Sequence, residues 1–413
     1  MPPNPSQRDD SFSWAIEQFI RANQLMNAID ADRRPVIEEA IACYRNVLQV
    51  VTREGNPEAW ALVQMNLGEA FAFRIGDDRC RNVENVIECY EKALEVWTKE
   101  AAPLDWARVQ MTLGNALRYR IGGDRSRNVE NAIECYGKAL ESLTKEAAPL
   151  DWAKLQMNLG IAFTDRIGGD RNQNVENGIE CYEKVLEVWT KDAAPLNWAT
   201  VQMNLGNALQ NRIAGNRGRN VENAIKCYEK ALEVCTKEAA PLDWAKVQVN
   251  LGNALRNRIG GNRGRNVENA IKCYEKALEV RTKEATPLGW ATVQMNLGIA
   301  FTDRIGGDRC RNVENAIECC GKALEVWTKE AAPLDWAKVQ MNLGSTLRNR
   351  IGGIRGRNVE NAIKCYEKAL EVCTKEAAPL DWAKVQVNLG NALRNRIGGN
   401  RGRNVENAIK CYE

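Results

Sequence analysis

Apolar residues recur along most of this chain at intervals of three and four, the spacing that places side chains on one face of an α-helix. In residues 103–148 a first stripe contains Trp106, Val109, Leu113, Ala116, Leu117 and Ile121. A second stripe contains Val129, Ala132, Ile133, Tyr136, Ala139, Leu140 and Leu143. Pro103 suits the first turn of a helix, and Asn128 suits a helix start. Gly122 and Gly123 lie between the stripes and suit a helix end, so the pattern predicts a helical hairpin without strands.

The hairpin pattern returns at a fixed period. Tryptophan occurs eight times at an interval of 46 residues, from Trp60 to Trp382. A proline lies three residues before each tryptophan, so the repeats begin at residues 57, 103, 149, 195, 241, 287, 333 and 379, the last one incomplete. Residues 35–56 match a lone second helix, and residues 1–34 read as a polar tail with a capping helix. Such repetition predicts an all-α array over residues 35–413, an α-solenoid in which each repeat packs on its neighbours.

Composition narrows the classes of function. The 57 basic and 54 acidic residues give a net charge of +3, so the whole chain has no strong attraction for nucleic acid or an anionic membrane. No apolar run approaches the ~18 residues of a membrane span, and no secretory signal precedes the repeats, so we expect a cytoplasmic protein. The absence of histidine removes the commonest general bases and metal ligands, so we expect no enzyme, no metal site and no cofactor.

The 14 cysteines are distributed like packing residues. Nine of them recur at one point of the second helix, and no Cys-x-x-Cys motif occurs. Free cysteine is commonly a small buried residue, which is the interpretation that the spacing favours. The weaker alternative is a redox role for Cys80, Cys310 or the adjacent Cys319 and Cys320.

The sequence Leu-Gly-Asn-Ala-Leu at 113–117, followed by Ala-Ile-Glu-Cys-Tyr at 132–136 and by Pro149, resembles the tetratricopeptide repeat. Gln110 stands where that family has tryptophan, and the period is 46 residues rather than about 34. The resemblance implies a right-handed superhelix whose first helices line a concave groove. It extends to the long arrays of bacterial, especially cyanobacterial, signalling proteins, in which the array often precedes a caspase-like CHAT domain.

Surface positions that vary between near-identical repeats are candidates for recognition. Arg108, Met111, Asn115, Arg118 and Tyr119 are spaced by three and four on the face of the first helix opposite its apolar stripe. In the proteins that this chain resembles, such residues hold an extended peptide. Asparagine can pair with a peptide backbone, and lysine or arginine attracts carboxylates, so we expect an acidic peptide or a free C-terminus as ligand.

The candidate groove residues are Arg108, Asn115, Arg118, Tyr119, Lys154, Asn207, Gln210, Asn211, Lys246, Asn253, Arg256, Asn257, Lys338, Arg348, Asn349, Lys384, Asn391, Arg394 and Asn395. The alternative is that these solvated positions drift without constraint. Residues 220–275 are identical to residues 358–413, which indicates amplification of a three-repeat block and supports that alternative in part.

Two arginines of the turn occur in all eight copies, represented by Arg120 and Arg125. They could form a phosphate-binding edge for nucleic acid. The interpretation that their invariance favours is structural: they satisfy carbonyls at a helix end and pair with Glu130 and its equivalents. No aromatic residues are interleaved to stack on bases, which argues against nucleic acid.

These patterns predict a non-catalytic scaffold that binds a peptide or partner protein in its concave groove. The alternative is the sensory or regulatory arm of a larger signalling protein whose effector, for example a CHAT-type protease domain, lies beyond Glu413. The second helix of the last repeat stops after about ten residues, so we also expect an uncapped apolar end that can self-associate.

Overall fold

In the computed structural model, residues 5–27, 33–74 and 78–413 are described. Within those ranges the chain forms eighteen α-helices and no strand, so the predicted all-α class is confirmed. The N-terminal pair is α1 (Pro5–Asn27) and α2 (Arg33–Val50). The first helices of the eight repeats are α3 (Pro57–Phe73), α5 (Pro103–Tyr119), α7 (Pro149–Asp165), α9 (Pro195–Asn211), α11 (Pro241–Asn257), α13 (Pro287–Asp303), α15 (Pro333–Arg348) and α17 (Pro379–Arg394). The second helices are α4 (Arg79–Leu94), α6 (Arg125–Leu140), α8 (Arg171–Leu186), α10 (Arg217–Leu232), α12 (Arg263–Leu278), α14 (Arg309–Leu324), α16 (Arg355–Leu370) and α18 (Arg401–Tyr412).

The turn between the two helices of a repeat is fixed by its own side chains. After α5 the backbone becomes extended at Arg120, with φ −58° and ψ 125°, and Gly123 then takes a φ of 76° that favours glycine. The side-chain Nδ2 of Asn128 donates to the carbonyl of Gly122 at 2.8 Å. Ile121 lies in this turn, past the helix end, with 58% of its surface exposed. Its assignment to the buried stripe of the first helix is therefore wrong, because the helix ends before its next turn is complete.

Every hairpin except the sixth has a tyrosine of the second helix that lies against the first helix. Tyr136 is fully buried, and a Cβ placed on Gly114 would come within 2.6 Å of its ring, so only glycine allows this approach. The Tyr136 hydroxyl donates to the Asn115 side-chain carbonyl at 2.7 Å. Gly114 of the Leu-Gly-Asn motif thus leaves room for the tyrosine ring, and Asn115 accepts the hydrogen bond of its hydroxyl.

The sixth repeat departs from this arrangement. Cys320 occupies the tyrosine position of α14 and is 1% exposed. Its sulfur would lie 3.6 Å from a Cβ placed on Gly298, which is ordinary van der Waals contact. The α13–α14 hairpin therefore lacks both the tight ring contact and the hydroxyl bond.

The N-terminal pair packs in the same way as the repeats. α1 and α2 lie in extensive contact, and α2 packs on α3. The Tyr44 hydroxyl donates to the Asn23 side chain at 2.6 Å, across the same 21-residue separation as the Tyr136–Asn115 bond. The lone second helix predicted within residues 35–56 corresponds to α2, and it pairs with α1, which lies within the predicted tail and capping segment.

Charged side chains join each repeat to the one before it. Arg120 donates through Nε and Nη2 to both carboxylate oxygens of Glu84, each at 2.7 Å. The same bond recurs in Arg74–Glu38, Arg166–Glu130, Arg212–Glu176, Arg258–Glu222, Arg304–Glu268, Arg350–Glu314 and Arg396–Glu360. At the opposite end of the hairpins, Lys99 pairs with Glu141 at 2.6 Å.

The chain divides into two compact units, Met1–Arg212 and Ile213–Glu413. In the N-terminal unit α5 contacts α7, and α7 contacts α9. In the C-terminal unit α11, α13, α15 and α17 contact one another in sequence. Successive second helices make no contact of comparable extent in the described part of the chain. The first helices thus form the closer-packed side of each unit, and the second helices stand apart with clefts between them.

Candidate interaction faces

The first-helix face was predicted to be the recognition surface, and one of its positions is not available. Met111 and Met203 are 9% and 3% exposed, and Val249 is 5% exposed. Their place on an exposed face was predicted wrongly, because contact with neighbouring helices buries a position that a single helix would leave in solvent. Only Val387, in the last repeat, is substantially exposed there.

The asparagines at the position of Asn115 take part in hydrogen bonds within the hairpin. Asn115, Asn253 and Asn391 accept the hydroxyl hydrogen bonds of Tyr136, Tyr274 and Tyr412 at 2.7, 2.7 and 3.1 Å. This bond occupies the carbonyl oxygen of each amide and leaves the NH₂ group for a ligand. Asn207 is half-buried at the same position.

The arginine position separates into two classes. Arg118 is 7% exposed, and its Nη1 lies 3.4 Å from Asp165 Oδ2 of the following repeat. Arg256 Nη1 likewise lies 3.7 Å from Asp303 Oδ2. These two cations are neutralised by the next repeat.

Arg348 and Arg394, by contrast, have no carboxylate of the described chain within ion-pairing distance. They lie on α15 and α17, which contact each other, and Arg394 is exposed. Asn395 stands where Arg118 and Arg256 find an aspartate of the following repeat, so Arg348 is left without that partner.

The outermost positions carry weak surface pairs. Arg108 Nε lies 3.1 Å from Asp151 Oδ2, and Lys338 and Lys384 pair with aspartates three residues earlier on their own helices. Lys154 pairs with Asp151 in the same manner. Exposed pairs of this kind contribute little to stability, so they leave these side chains free to exchange partners. Lys246 is exposed and makes no ion pair with the described residues.

The residue at the position of Tyr119 is exposed to solvent in most first helices. Tyr119 is 52% exposed, with its ring centroid 4.2 Å from the Arg118 guanidinium carbon. Gln210, which belongs to the arginine position, is half-buried. The remaining members, Asn211, Asn257, Asn349 and Asn395, are exposed. The structure therefore brings Asn349 and Asn395 to the ends of the two helices that also carry the unpaired arginines.

The turn arginines behave as the structural interpretation predicted. The hydrogen bond from Arg120 to Glu84 raises the pKa of Arg120 above its ordinary value. Arg171 Nη1 donates to the carbonyl of Thr164 at 2.7 Å, and Arg125 makes the equivalent bond to Arg118. Arg120 thus joins two repeats, and Arg125 and Arg171 satisfy carbonyls at a helix end.

The buried cysteines are not activated thiols. Burial raises the pKa of Cys135 and of Cys273 to about 11, so both thiols are protonated at neutral pH. Cys80 and Cys310 are exposed, whereas Cys319 and Cys320 are buried. No cluster of potential metal ligands was found in the residues that the structure describes.

The clefts between second helices were not anticipated. The N-terminal cleft lies between α4 and α6 over α5, has a volume of about 550 Å³, and is lined by Glu84, Ile87, Glu88, Glu91, Leu113, Leu117, Arg120, Asn131, Glu134, Cys135 and Lys138. The C-terminal cleft lies between α10 and α12 over α11, has a volume of about 420 Å³, and is lined by Glu222, Ile225, Lys226, Glu229, Leu251, Leu255, Arg258, Asn269, Lys272, Cys273 and Lys276. A signal was present in the sequence, because the residue before the ladder cysteine changes from Glu88 and Glu134 to Lys226 and Lys272.

Comparison with known proteins identifies the repeat. Four stretches match the Sel1 repeat, at residues 109–142, 199–233, 245–279 and 337–371. The chain carries Sel1 repeats. The Sel1 repeat is of tetratricopeptide type, so the predicted resemblance is confirmed. Among curated proteins, no sequence relative of this Sel1-repeat chain was found.

Solved structures place the Sel1-repeat chain among helical-repeat solenoids. RapI in its apo form has a TM-score of 0.55 and 12% identity, over 97% of this chain and 97% of RapI. A Rap protein complexed with Competence and Sporulation Factor has a TM-score of 0.54 and 13% identity, over 96% of each chain. A TPR repeat-containing protein of Cytophaga hutchinsonii has a TM-score of 0.42 and 15% identity, over 74% of this chain and 93% of that protein's C-terminal part. At such identities the likeness shows the fold alone. None of the described helices is long and apolar enough to cross a membrane.

Proposed function

We propose that this protein is a non-catalytic scaffold that binds a carboxylate-bearing protein segment on the first-helix face of its last two repeats. The observation that carries the proposal is Arg348, which has no carboxylate of the described chain within reach because Asn395 stands where Arg118 and Arg256 find Asp165 and Asp303. Arg394 lies at the same position of the next first helix. An unpaired guanidinium presents a fork of N–H donors that matches a carboxylate in two-point contact. An acidic side chain or a free C-terminus fits this chemistry.

The neighbouring asparagines extend the same surface. Asn349 and Asn395 follow the two arginines directly and are exposed. A primary amide offers both a donor and an acceptor, so each can pair with a peptide group of an extended ligand. The arrangement would fix the backbone of the segment while the arginines select its charge.

The fold comparison is consistent with this role. The Rap protein of similar fold is complexed with Competence and Sporulation Factor, so an array of this kind can hold a ligand. The same surface would serve if the array is the regulatory arm of a larger signalling protein, and a partner found by capture would distinguish the two by its identity.

The test compares two double substitutions in the same two repeats. Partners captured by the wild-type array are identified by mass spectrometry, and the affinity of the strongest is measured for Arg348→Ala with Arg394→Ala. Removal of two charge-assisted contacts should weaken binding about tenfold or more, with helicity unchanged. Arg256 is left intact, because it already pairs with Asp303.

The control is Arg357→Ala with Arg403→Ala, which removes the same charge from exposed positions of the same repeats. Binding should persist in this control. Equal losses in both variants would show a general charge effect, and no loss in the groove variant would rule out this face.

A further inference from the structure

The C-terminal cleft presents lysines that form no ion pair with the described residues. Lys226 and Lys230 lie four residues apart on α10, and Lys272 and Lys276 are their counterparts on α12. All four are exposed, and no carboxylate of the described chain lies within ion-pairing distance of any of them. Like charges at this helical spacing oppose each other and weaken a helix slightly.

The corresponding positions of the N-terminal unit show that this charge is not needed by the fold. Glu88 pairs with Lys92 at 2.7 Å, and Glu134 pairs with Lys138 at 2.8 Å. These pairs satisfy the lysine four residues later on the same helix. In the C-terminal unit α10 and α12 of adjacent repeats give up that pairing, and α16 does the same with Lys364 and Lys368, which leaves positive charge directed to solvent.

The cleft also has an apolar floor. Ile225, Leu251 and Leu255 are buried or nearly so beneath the lysine-bearing rims. Its lining carries four cationic and two anionic side chains, whereas the lining of the N-terminal cleft carries four anionic and two cationic ones. A partner that fits both features has apolar side chains on one face and carboxylates at the edges of that face.

We propose that the C-terminal cleft binds an acidic amphipathic segment of a partner protein, separately from the first-helix face. The apolar side chains of the segment would rest between α10 and α12, and its carboxylates would meet Lys226, Lys272 and Lys276. The N-terminal cleft would reject the same segment, because Glu88 and Glu134 face it with like charge.

The lining favours a protein segment over nucleic acid. No aromatic side chain lines the cleft to stack on bases, and Glu222 and Glu229 lie among the lysines where a phosphate backbone would pass. An apolar floor adds nothing to phosphate binding, whereas it contributes directly to the burial of leucine side chains.

The probe is a fluorescein-labelled peptide of Glu and Leu with Leu at helical spacing, and binding to the full chain is followed by fluorescence anisotropy. Lys226→Glu with Lys272→Glu places in the C-terminal cleft the residues that the N-terminal cleft has. This variant should fold normally, because each new glutamate can pair with the lysine four residues later. Residues 358–413 repeat the same lysines, so the expected result at low ionic strength is that the number of peptides bound per chain falls by one.

The reverse substitution is Glu88→Lys with Glu134→Lys in the wild-type background. It should create a further binding site, so that the number of peptides bound per chain rises by one. A peptide with Lys in place of Glu should bind neither cleft of this variant. Arg348→Ala with Arg394→Ala should leave the peptide affinity unchanged, which separates this cleft from the proposed groove.

Three outcomes would overturn the proposal. One is an unchanged number of bound peptides in the Lys226→Glu with Lys272→Glu variant. The second is competition by oligoaspartate or an oligonucleotide as strong as that of the peptide itself, which would reduce the cleft to a general anion surface. The third is loss of binding in the Arg348→Ala with Arg394→Ala variant, which would assign the peptide to the groove and leave the groove proposal standing.

Discussion

The N-terminal and C-terminal clefts rest on the same buried residues and differ in their charged rims. Ile87 and Leu113 in the first correspond to Ile225 and Leu251 in the second, and each floor includes a buried cysteine. The arginine–glutamate bond between repeats closes both clefts at the turn. The two clefts are therefore a natural matched pair, in which the framework stays constant while the surface changes.

The difference in charge extends to the caps of the second helices. Asp78 and Asp124 accept backbone N–H bonds at the start of α4 and α6, and Asn216 and Asn262 do the same for α10 and α12. Either residue type caps a helix well, so the exchange keeps the fold and removes a negative charge. The cap residue and the residue before the ladder cysteine thus both become more positive in the C-terminal unit. A net charge near zero for the whole chain can therefore hide regions of opposite charge.

The largest loss of unfolding free energy is expected from a substitution that should affect the two units equally. Gly114→Ala and Gly252→Ala would each bring a Cβ within 2.6 Å of a buried tyrosine ring. Overpacking of this kind should lower the free energy of unfolding by about 2 kcal/mol in both units. Urea unfolding followed by circular dichroism measures the loss.

The matched control for these substitutions is Gly137→Ala, also within a helix, where an added Cβ meets nothing within 4 Å. It should raise the free energy of unfolding by roughly 0.5–1 kcal/mol, because alanine restricts the unfolded chain. Clearly unequal losses for Gly114 and Gly252 would show that the two clefts do not share one framework.

A smaller effect is expected from the bond between repeats. Arg120→Ala and Arg258→Ala should each lower the free energy of unfolding by about 1 kcal/mol, since the pairs are two-point but partly exposed. The hydrogen bond from Arg258 lowers the pKa of Glu222 below its ordinary value. A carboxylate with a lowered folded-state pKa stabilises the protein above its unfolded-state value, and that stabilisation is lost as the pH falls through the folded-state value.

The difference between wild type and Arg258→Ala should therefore be full near neutral pH and shrink on acidification to about pH 3. Urea midpoints at several pH values test this. A difference that persists in acid would instead assign the effect to packing of the arginine stem.

The smallest effect should have opposite signs in the two regions. Lys226→Glu replaces a like-charge pair with an ion pair on α10 and should raise the free energy of unfolding by about 0.5 kcal/mol. Glu88→Lys makes the reverse change on α4 and should lower it by a similar amount. Thermal denaturation at low and high salt measures both, and high salt should abolish both shifts. Shifts of the same sign would show that the lysines of the C-terminal cleft are stabilised by contacts other than charge.

The sequence was sufficient for the hairpins because proline, glycine and the apolar spacing act within one repeat. Pro103 begins α5 and Gly123 has the positive φ that the turn requires. Contacts between repeats were harder to foresee. Met111 is buried by neighbouring helices, and Arg118 finds Asp165 in the following repeat, so neither could be placed from the periodicity of a single helix.

The prediction that Ile121 is buried was wrong for a related reason. Its spacing continues the apolar stripe of α5, but the helix has already ended at Tyr119. The clefts could not be predicted from the spacing within one helix, because they arise where second helices stand apart. The only indication in the sequence was the change from Glu88 to Lys226 between copies. Comparison of copies thus carries information that no single copy contains.

Because it has Cys320 in place of tyrosine, the sixth hairpin should be the least stable hairpin of the C-terminal unit. Its neighbours hold their two helices together through a buried ring and a hydroxyl bond, whereas this hairpin has a small thiol in that place, and its buried residues form a small cluster with Trp327. In a linear array, stability is summed over adjacent elements, so a loss at one site is not shared by the rest. Under heating or mechanical tension, α13 and α14 should be the first to separate, and their amide protons should exchange with solvent before those of the hairpins on either side.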